Sequence, residues 1–278
     1  MSIVKSWTVE LRGLFQDSSL FVRDVRIGVF YTAVQLSTGH VGVAFTPRGL
    51  TDSICCPKTA AAAPPAGTLV GRNAWEVANY SIAPSPLRRA LGIAALNSIS
   101  AAAIERYGVP GGRLAVGVDA LDAAAVHPDD KVAMVGAFTP FIKRLRGKCA
   151  ELFIIDNHPE ALKPDELHMW RTPHLAAEVL ETANVVIISG SAMVEGDLDP
   201  LLRSAAGARR IVLAGPTASP WPPPFFTGGI DVLGGIRASD PGRLLALVSE
   251  GGSGYFFDRA AEKVAIIRES PAHSALRP

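Results

Sequence analysis

A doubly wound α/β layer preceded by a small α+β layer is predicted by three features of this 278-residue sequence. Short apolar runs alternate with amphipathic helical stretches over the second half, one helix-start device recurs there, and hairpin patterning followed by helices marks the first half. The alternation is plainest from Lys131 to Pro159. Val132-Ala133-Met134-Val135 reads as a strand buried on both faces and ends at Gly136. Thr139 and Pro140 supply cap and first-turn chemistry for a helix with Phe141, Ile142 and Leu145 on one face, which Gly147 stops. Leu152-Phe153-Ile154-Ile155 then runs into Asp156, twenty positions after Gly136. A glycine turn after one strand and an acid after the next is the layout of a βαβ unit that holds a nucleotide-like ligand. The residues after Gly136 are Ala137-Phe138-Thr139-Pro140, without the further glycines that admit a pyrophosphate, so ordinary NAD or FAD binding is disfavoured. A methyltransferase-like use of S-adenosylmethionine at Asp156 stays open.

From the start of the chain, Trp7, Leu11 and Leu14 or Phe15 recur at helical spacing within Val4 to Phe15. Val22 to Leu36 is rich in β-branched and aromatic residues, and Ser37-Thr38-Gly39 is turn chemistry before Val41 to Phe45, so a β-hairpin is expected. Cys55 to Gly67, with Pro64-Pro65, has no hydrophobic period and reads as a loop. Asn73 to Tyr80 and a longer stretch opened by Ser85-Pro86 and running toward Tyr107 predict two helices. Gly108 to Gly112 ends this layer, and an irregular segment is expected through Pro128. Beyond Pro159, Thr172-Pro173, Asp199-Pro200 and Asp240-Pro241 repeat the cap-then-proline signature of Thr139-Pro140. Strands are expected at Asn184 to Ile188, Ile211 to Leu213, Ile230 to Leu233 and Val264 to Ile267, the last as an antiparallel edge.

Composition excludes several function classes. A net charge of +1 offers no broad basic surface, so neither nucleic acid nor a membrane is an expected partner. No apolar run approaches the length that crosses a bilayer. Three cysteines make no disulfide framework and the chain opens without signal-peptide character, which points to a reducing cytoplasm.

In an open parallel sheet the ligand lies beyond the carboxyl ends of the strands. There the sequence places Gly136 to Thr139 with Phe138, then Asp156-Asn157-His158, Ser189-Gly190-Ser191 and Gly215-Pro216-Thr217. Small hydroxyl-bearing residues at such an edge can donate to anionic or carbonyl oxygens and leave space for a ring. The plainer alternative is that these residues only make tight turns.

The strings Val135 to Pro140, Ser189 to Asp199 and Leu213 to Ala218 resemble the Rossmann-like domain of the family described as "putative heavy-metal chelation". Ile27 to Val34 and Leu91 to Asn97 are similar to the enolase-N-terminal-like domain that precedes it in that family. The resemblance implies an α/β protein with an enolase-N-terminal-like domain over residues 1–112 and a Rossmann-like domain over 113–278. It implies a site between the two for a pterin-, flavin- or siderophore-like chelator, with a metal ion or a pterin-like ligand as the expected cofactor class. A condensation or hydrolysis linked to chelation is one expectation, with Glu195 and Asp156 the available bases. A non-catalytic carrier or sensor of a chelated metal is the other.

Asn97 in an apolar helix and Thr32 within the Ile27 to Leu36 strand are candidate ligand contacts from the front half, because a buried amide needs a partner. On that reading Asn97→Ala weakens ligand binding by about 1–3 kcal/mol and stability by less; the alternative is that both serve their own domain. Adjacent Cys55 and Cys56 lack zinc-ligand spacing and favour a packing or loop role. His158 and His168 with Asp156 and Glu160 could make a nitrogen and oxygen metal site, solvated loops being the blander account. Cys149 reads as a small hydrophobe, and Trp221 as either a lid or interface packing. A homodimer is the default expectation.

Overall fold

The computed structural model describes residues 1–16, 19–47, 63–196 and 198–269. Cys55 and Cys56, and most of the expected loop around them, lie outside the described residues. Helix α1 (Ile3–Leu14) is capped by Ser2 and buries Trp7 and Leu11, as the spacing predicts. Strands β1 (Val22–Ile27), β2 (Tyr31–Leu36) and β3 (Val41–Phe45) form an antiparallel sheet in that order. The single stretch expected over Val22 to Leu36 is therefore two strands. The Gly28 N–H bonds the Tyr31 carbonyl at 2.9 Å and closes a turn that composition alone did not mark.

Both faces of this small sheet are covered. Val34, Leu36 and Ala44 join the main core with helix α3 (Pro86–Tyr107), while Ala33, Val41 and Val43 pack against Leu244, Leu245 and Val248 of a helix from the far end of the chain. Between β2–β3 and α3 lie the short helix α2 (Ala74–Ala78) and a 3-10 turn over Asn79–Ile82. Ser85 caps α3 by accepting from the Arg88 N–H. The α3 contact with β3 is backbone on backbone: a Cβ added at Gly42 would lie 2.2 Å from the Ser98 nitrogen and 2.3 Å from the Ala94 oxygen. Gly42→Ala is expected to cost about 1–3 kcal/mol by forcing strand and helix apart, read as a lower midpoint in urea denaturation.

The second sheet has eight strands in the order β4-β11-β10-β9-β8-β5-β6-β7. Its parallel part, β5 (Lys131–Val135), β6 (Glu151–Ile155), β7 (Trp170–Arg171), β8 (Val185–Ser189), β9 (Arg210–Ala214) and β10 (Val232–Ala238), is wound outward from β5 in both directions. β11 (Ala261–Arg268) is antiparallel, as expected, but is not the edge. β4 (Gly112–Val116) pairs along it, and helix α4 (Ala120–Ala124) follows, in the segment expected to be irregular. The pattern of β4 is half-exposed, so it carries no continuous apolar run to reveal it.

The helices α5 (Thr139–Leu145), α6 (Ala176–Thr182), α7 (Ser191–Glu195), α8 (Leu198–Ser204), α9 (Pro222–Thr227) and α10 (Pro241–Ser249) complete the layer. Among the described residues the shared start device acts as a true cap at Asp240, which accepts from the Arg243 N–H at 3.0 Å. Thr139 is already the first helical residue, with Phe138 at the cap position, and Thr172 makes no capping bond. Asp199 accepts from the Ile3 N–H at 2.9 Å, satisfying the start of α1 from across the molecule. No described helix is long and apolar enough to cross a membrane.

Candidate functional site at the reversal of strand order

Within the parallel part the order reverses between β5 and β8, the topological switch point at which open α/β sheets leave a crevice. Gly136 ends β5 with φ +91°, and a Cβ there would stand 2.9 Å from the Ser189 Cβ at the end of β8. Glycine is thus required twice over, by conformation and by the close approach of the two strand ends. The loop after it is held from beneath by Asp156. One carboxylate oxygen accepts from the Ala137 N–H at 2.7 Å and the other from the His158 N–H at 2.8 Å. The Asp156 carbonyl in turn accepts from Trp170 Nε1 at 2.9 Å. The acid predicted from its spacing is therefore at the strand end, with both oxygens engaged by the loop.

Phe138 occupies the middle of the edge. Its ring stacks on Phe141 with centroids 5.3 Å apart and planes 26° apart, and its Cε1 atom approaches Gly215, where an added Cβ would lie 3.4 Å away. The side chain remains half-exposed. Ser189 Oγ accepts from the Ser191 N–H at 3.2 Å, leaving its own proton available to donate. Gly190 is buried against Thr217, Thr139 and Pro216 are half-buried, and Asn157 is exposed. Gly136, Phe138, Ser189, Gly190, Gly215 and Thr217 are thus linked along one edge by these contacts.

The front half reaches this edge through Thr217. Its hydroxyl accepts from the Phe45 N–H at 2.9 Å, and its carbonyl accepts from Asn97 Nδ2 at 2.8 Å. The second Asn97 amide proton goes to the Val43 carbonyl, also at 2.8 Å. Asn97 is 1 % exposed and works as a strut between β3, α3 and the loop after β9. Thr32 is fully buried and pairs its hydroxyl with Thr46 at 2.9 Å. Glu195 stands exposed at the end of α7, about 6 Å along the axis from Ser191.

Two contributors were not singled out from sequence. Arg89 donates to the carbonyls of Val194, Glu195, Ala83 and Pro84, clasping the end of α7 to the start of α3. Its signal was legible: a cation in the first turn opposes the helix dipole and so implies partners elsewhere. Tyr31 converges with Pro216 on Gly254, where a Cβ would lie 3.2 Å from the Tyr31 hydroxyl and 3.4 Å from Pro216 Cγ.

Among the described residues no three His, Cys, Asp or Glu side chains gather closely enough to hold a metal ion. His158 and Glu160 form an exposed pair at 2.8 Å, and bonds from the Glu160 backbone and from His158 hold that carboxyl below its ordinary range. Burial pushes the Cys149 thiol up, which leaves little reactive thiolate at neutral pH. Trp221 is a packing residue: it is buried, with Nε1 on Glu10 and its backbone N–H on Ser100.

Residues 119–267 match a family model described as putative heavy-metal chelation, and residues 14–100 match a second model with the same description. An uncharacterized protein of Methanocaldococcus jannaschii is 25% identical over 196 residues, covering 70% of this chain and 71% of that one. A crystal structure of a protein of unknown function from Pyrococcus horikoshii superposes with a TM-score of 0.75 at 21% identity, over 96% of this chain and 98% of that one. One from Desulfitobacterium hafniense, likewise of unknown function, gives 0.72 at 22% identity, over 95% and 98%.

Proposed function

This chain belongs to the family described as "putative heavy-metal chelation", and on that premise we propose that it binds a small planar or anionic chelator at the β5–β8 switch point. The class is pterin-, flavin- or siderophore-like. The observation that carries this reading is the half-exposed Phe138 ring, backed by Phe141 and standing over the reversal of strand order beside Gly215. An aromatic face in a crevice stacks a planar ring, and the Ser189 hydroxyl at the end of β8 offers a donor to carbonyl or anionic oxygens.

Binding and retention are the reading carried forward: Asp156 spends a bond from each oxygen on holding the edge loop, and the other available base, Glu195, stands exposed at the end of α7. The protein is read as a cytoplasmic homodimer that carries a chelated metal through its ligand. Sedimentation giving only monomer at micromolar concentration would remove the dimer.

Fluorescence titration with pterin-6-carboxylate, free and iron-loaded, tests the site. Wild type is expected to bind saturably, and Phe138→Ala to weaken binding at least tenfold, since stacking on an aromatic side chain contributes about 1–3 kcal/mol. An unchanged Kd in a folded variant would refute it. Calorimetry with S-adenosylmethionine is expected to show no heat of binding; a saturable signal would favour the methyltransferase-like reading instead.

A further inference from the structure

Among the described residues the two sheets end at β1, β3, β4 and β7, and three of these edges are closed to other chains. β7 is two residues long. β1 is broken by a bulge between Val22 and Asp24, carries the Asp24–Arg26 ion pair, and gives its Val22 N–H and carbonyl to Arg72 and Gly71. On β3, Asn97 and Ser98 of α3 donate to the Val43 and His40 carbonyls, and Thr217 accepts from the Phe45 N–H. Short length, bulges, charges and covering segments are the devices that keep a sheet edge from pairing with another chain.

β4, the outer strand of the large sheet, keeps one charge, Arg113, and lacks the rest. It pairs with β11 over five consecutive residues without a register shift and contains no proline. The Gly117 N–H bonds the Lys263 carbonyl at 2.8 Å and the Glu269 N–H bonds the Gly111 carbonyl at 3.0 Å, so the odd-numbered residues face β11. Leu114 and Val116 therefore turn their N–H and carbonyl groups outward, and nothing among the described residues bonds them.

We propose that this edge joins two copies of the chain, β4 pairing antiparallel with β4 about a two-fold axis at Ala115. The proposal rests on the dimer reading above and names its surface. In this register Leu114 of each copy exchanges backbone bonds with Val116 of the other, on both sides of the axis. Charge fits the same register. Each Arg113 falls opposite Gly117 of the second copy, where a side chain would meet open space, and two positions from Asp119, the acid that also holds Lys263 at 2.9 Å. The two Arg113 side chains are kept apart, on opposite sides of the axis. A strand of unrelated sequence would satisfy the backbone equally but would bring no particular acid to Arg113.

Sedimentation and cysteine cross-linking of the full chain test this. Wild type is expected to be a dimer at micromolar concentration. Val116→Pro removes an outward N–H and no bond to β11, and should raise the dimer dissociation constant at least tenfold. Ala115→Cys sets two thiols across the axis in a non-hydrogen-bonded pair, with Cα atoms about 4.5 Å apart and within disulfide reach. Mild oxidation should then give a covalent dimer at least tenfold faster than in Arg113→Cys, although position 113 is the more exposed; wild type sets the background from the native thiols. Faster cross-linking at 113 than at 115, or a Val116→Pro dimer as tight as wild type, would overturn the surface and leave the dimer itself standing. A wild-type monomer would overturn both, including one whose Leu114 and Val116 amides become protected from exchange only when a different protein is added. These measurements contain no chelator, so they stand or fall apart from the Phe138 edge.

Discussion

Trp7→Ala is expected to lower stability by about 3–5 kcal/mol, the scale for removing a fully buried indole. Trp7 is fully buried, packs edge-on against Phe225 of α9 with ring centroids 5.4 Å apart, and donates its Nε1 proton to Ser100 at 2.9 Å. Ser100 in turn accepts from the Trp221 N–H, so one hydroxyl in α3 links the first helix to the segment before α9. The core around Trp7 is continuous from α1 and α3 to Phe225, Ile188 and Leu213. The variant should therefore unfold in urea as one transition, followed by far-ultraviolet circular dichroism and by tryptophan fluorescence with the same midpoint. Separate midpoints for the two probes, or a loss below about 1 kcal/mol, would show that the halves are energetically independent.

Asn97→Ala carries the second large effect, about 2–4 kcal/mol of stability. It leaves the Val43 and Thr217 carbonyls without their donor in a buried seam, and each such loss costs about 1–3 kcal/mol. The geometry shifts the expected cost away from chelator affinity and onto the seam. Pterin-6-carboxylate binding, measured well below the lowered melting temperature, should change by less than threefold. Asn97→Asp is informative beside it, because a carboxylate cannot donate to either carbonyl, and it should be at least as destabilising. A tenfold loss of pterin affinity with stability unchanged would return Asn97 to the ligand edge.

Arg89 and Asp199 show where local pattern stops being informative. Both lie at helix starts, and the local reading of Asp199-Pro200 is a cap for the helix that follows. In the folded chain Asp199 satisfies an N–H of α1, 196 positions away, and Arg89 binds carbonyls at the end of α7. A carboxylate or guanidinium announces that it needs partners, but its sequence neighbours are only the nearest of those available.

What the sequence determined by itself were the features written in local periodicity and turn chemistry. The apolar runs of β5, β6, β8 and β9 are buried on both faces and so need no context to be recognised. Gly136 and Asp156 at consecutive strand ends marked the edge where the strand order reverses. The family was likewise legible, in the loops after β5, β8 and β9. Only the tertiary structure decided the split of the first strand stretch at Gly28, the place of β4 at the sheet edge, and the use of Asn97. Each depends on contacts between distant segments: a turn closed by Tyr31, a half-exposed strand made regular by pairing with β11, and an amide whose two protons reach β3 and the loop after β9. Side-chain period reports which face of an element is dry. It carries no information about which distant backbone group will take a hydrogen bond there, because that is set by how the layers pack.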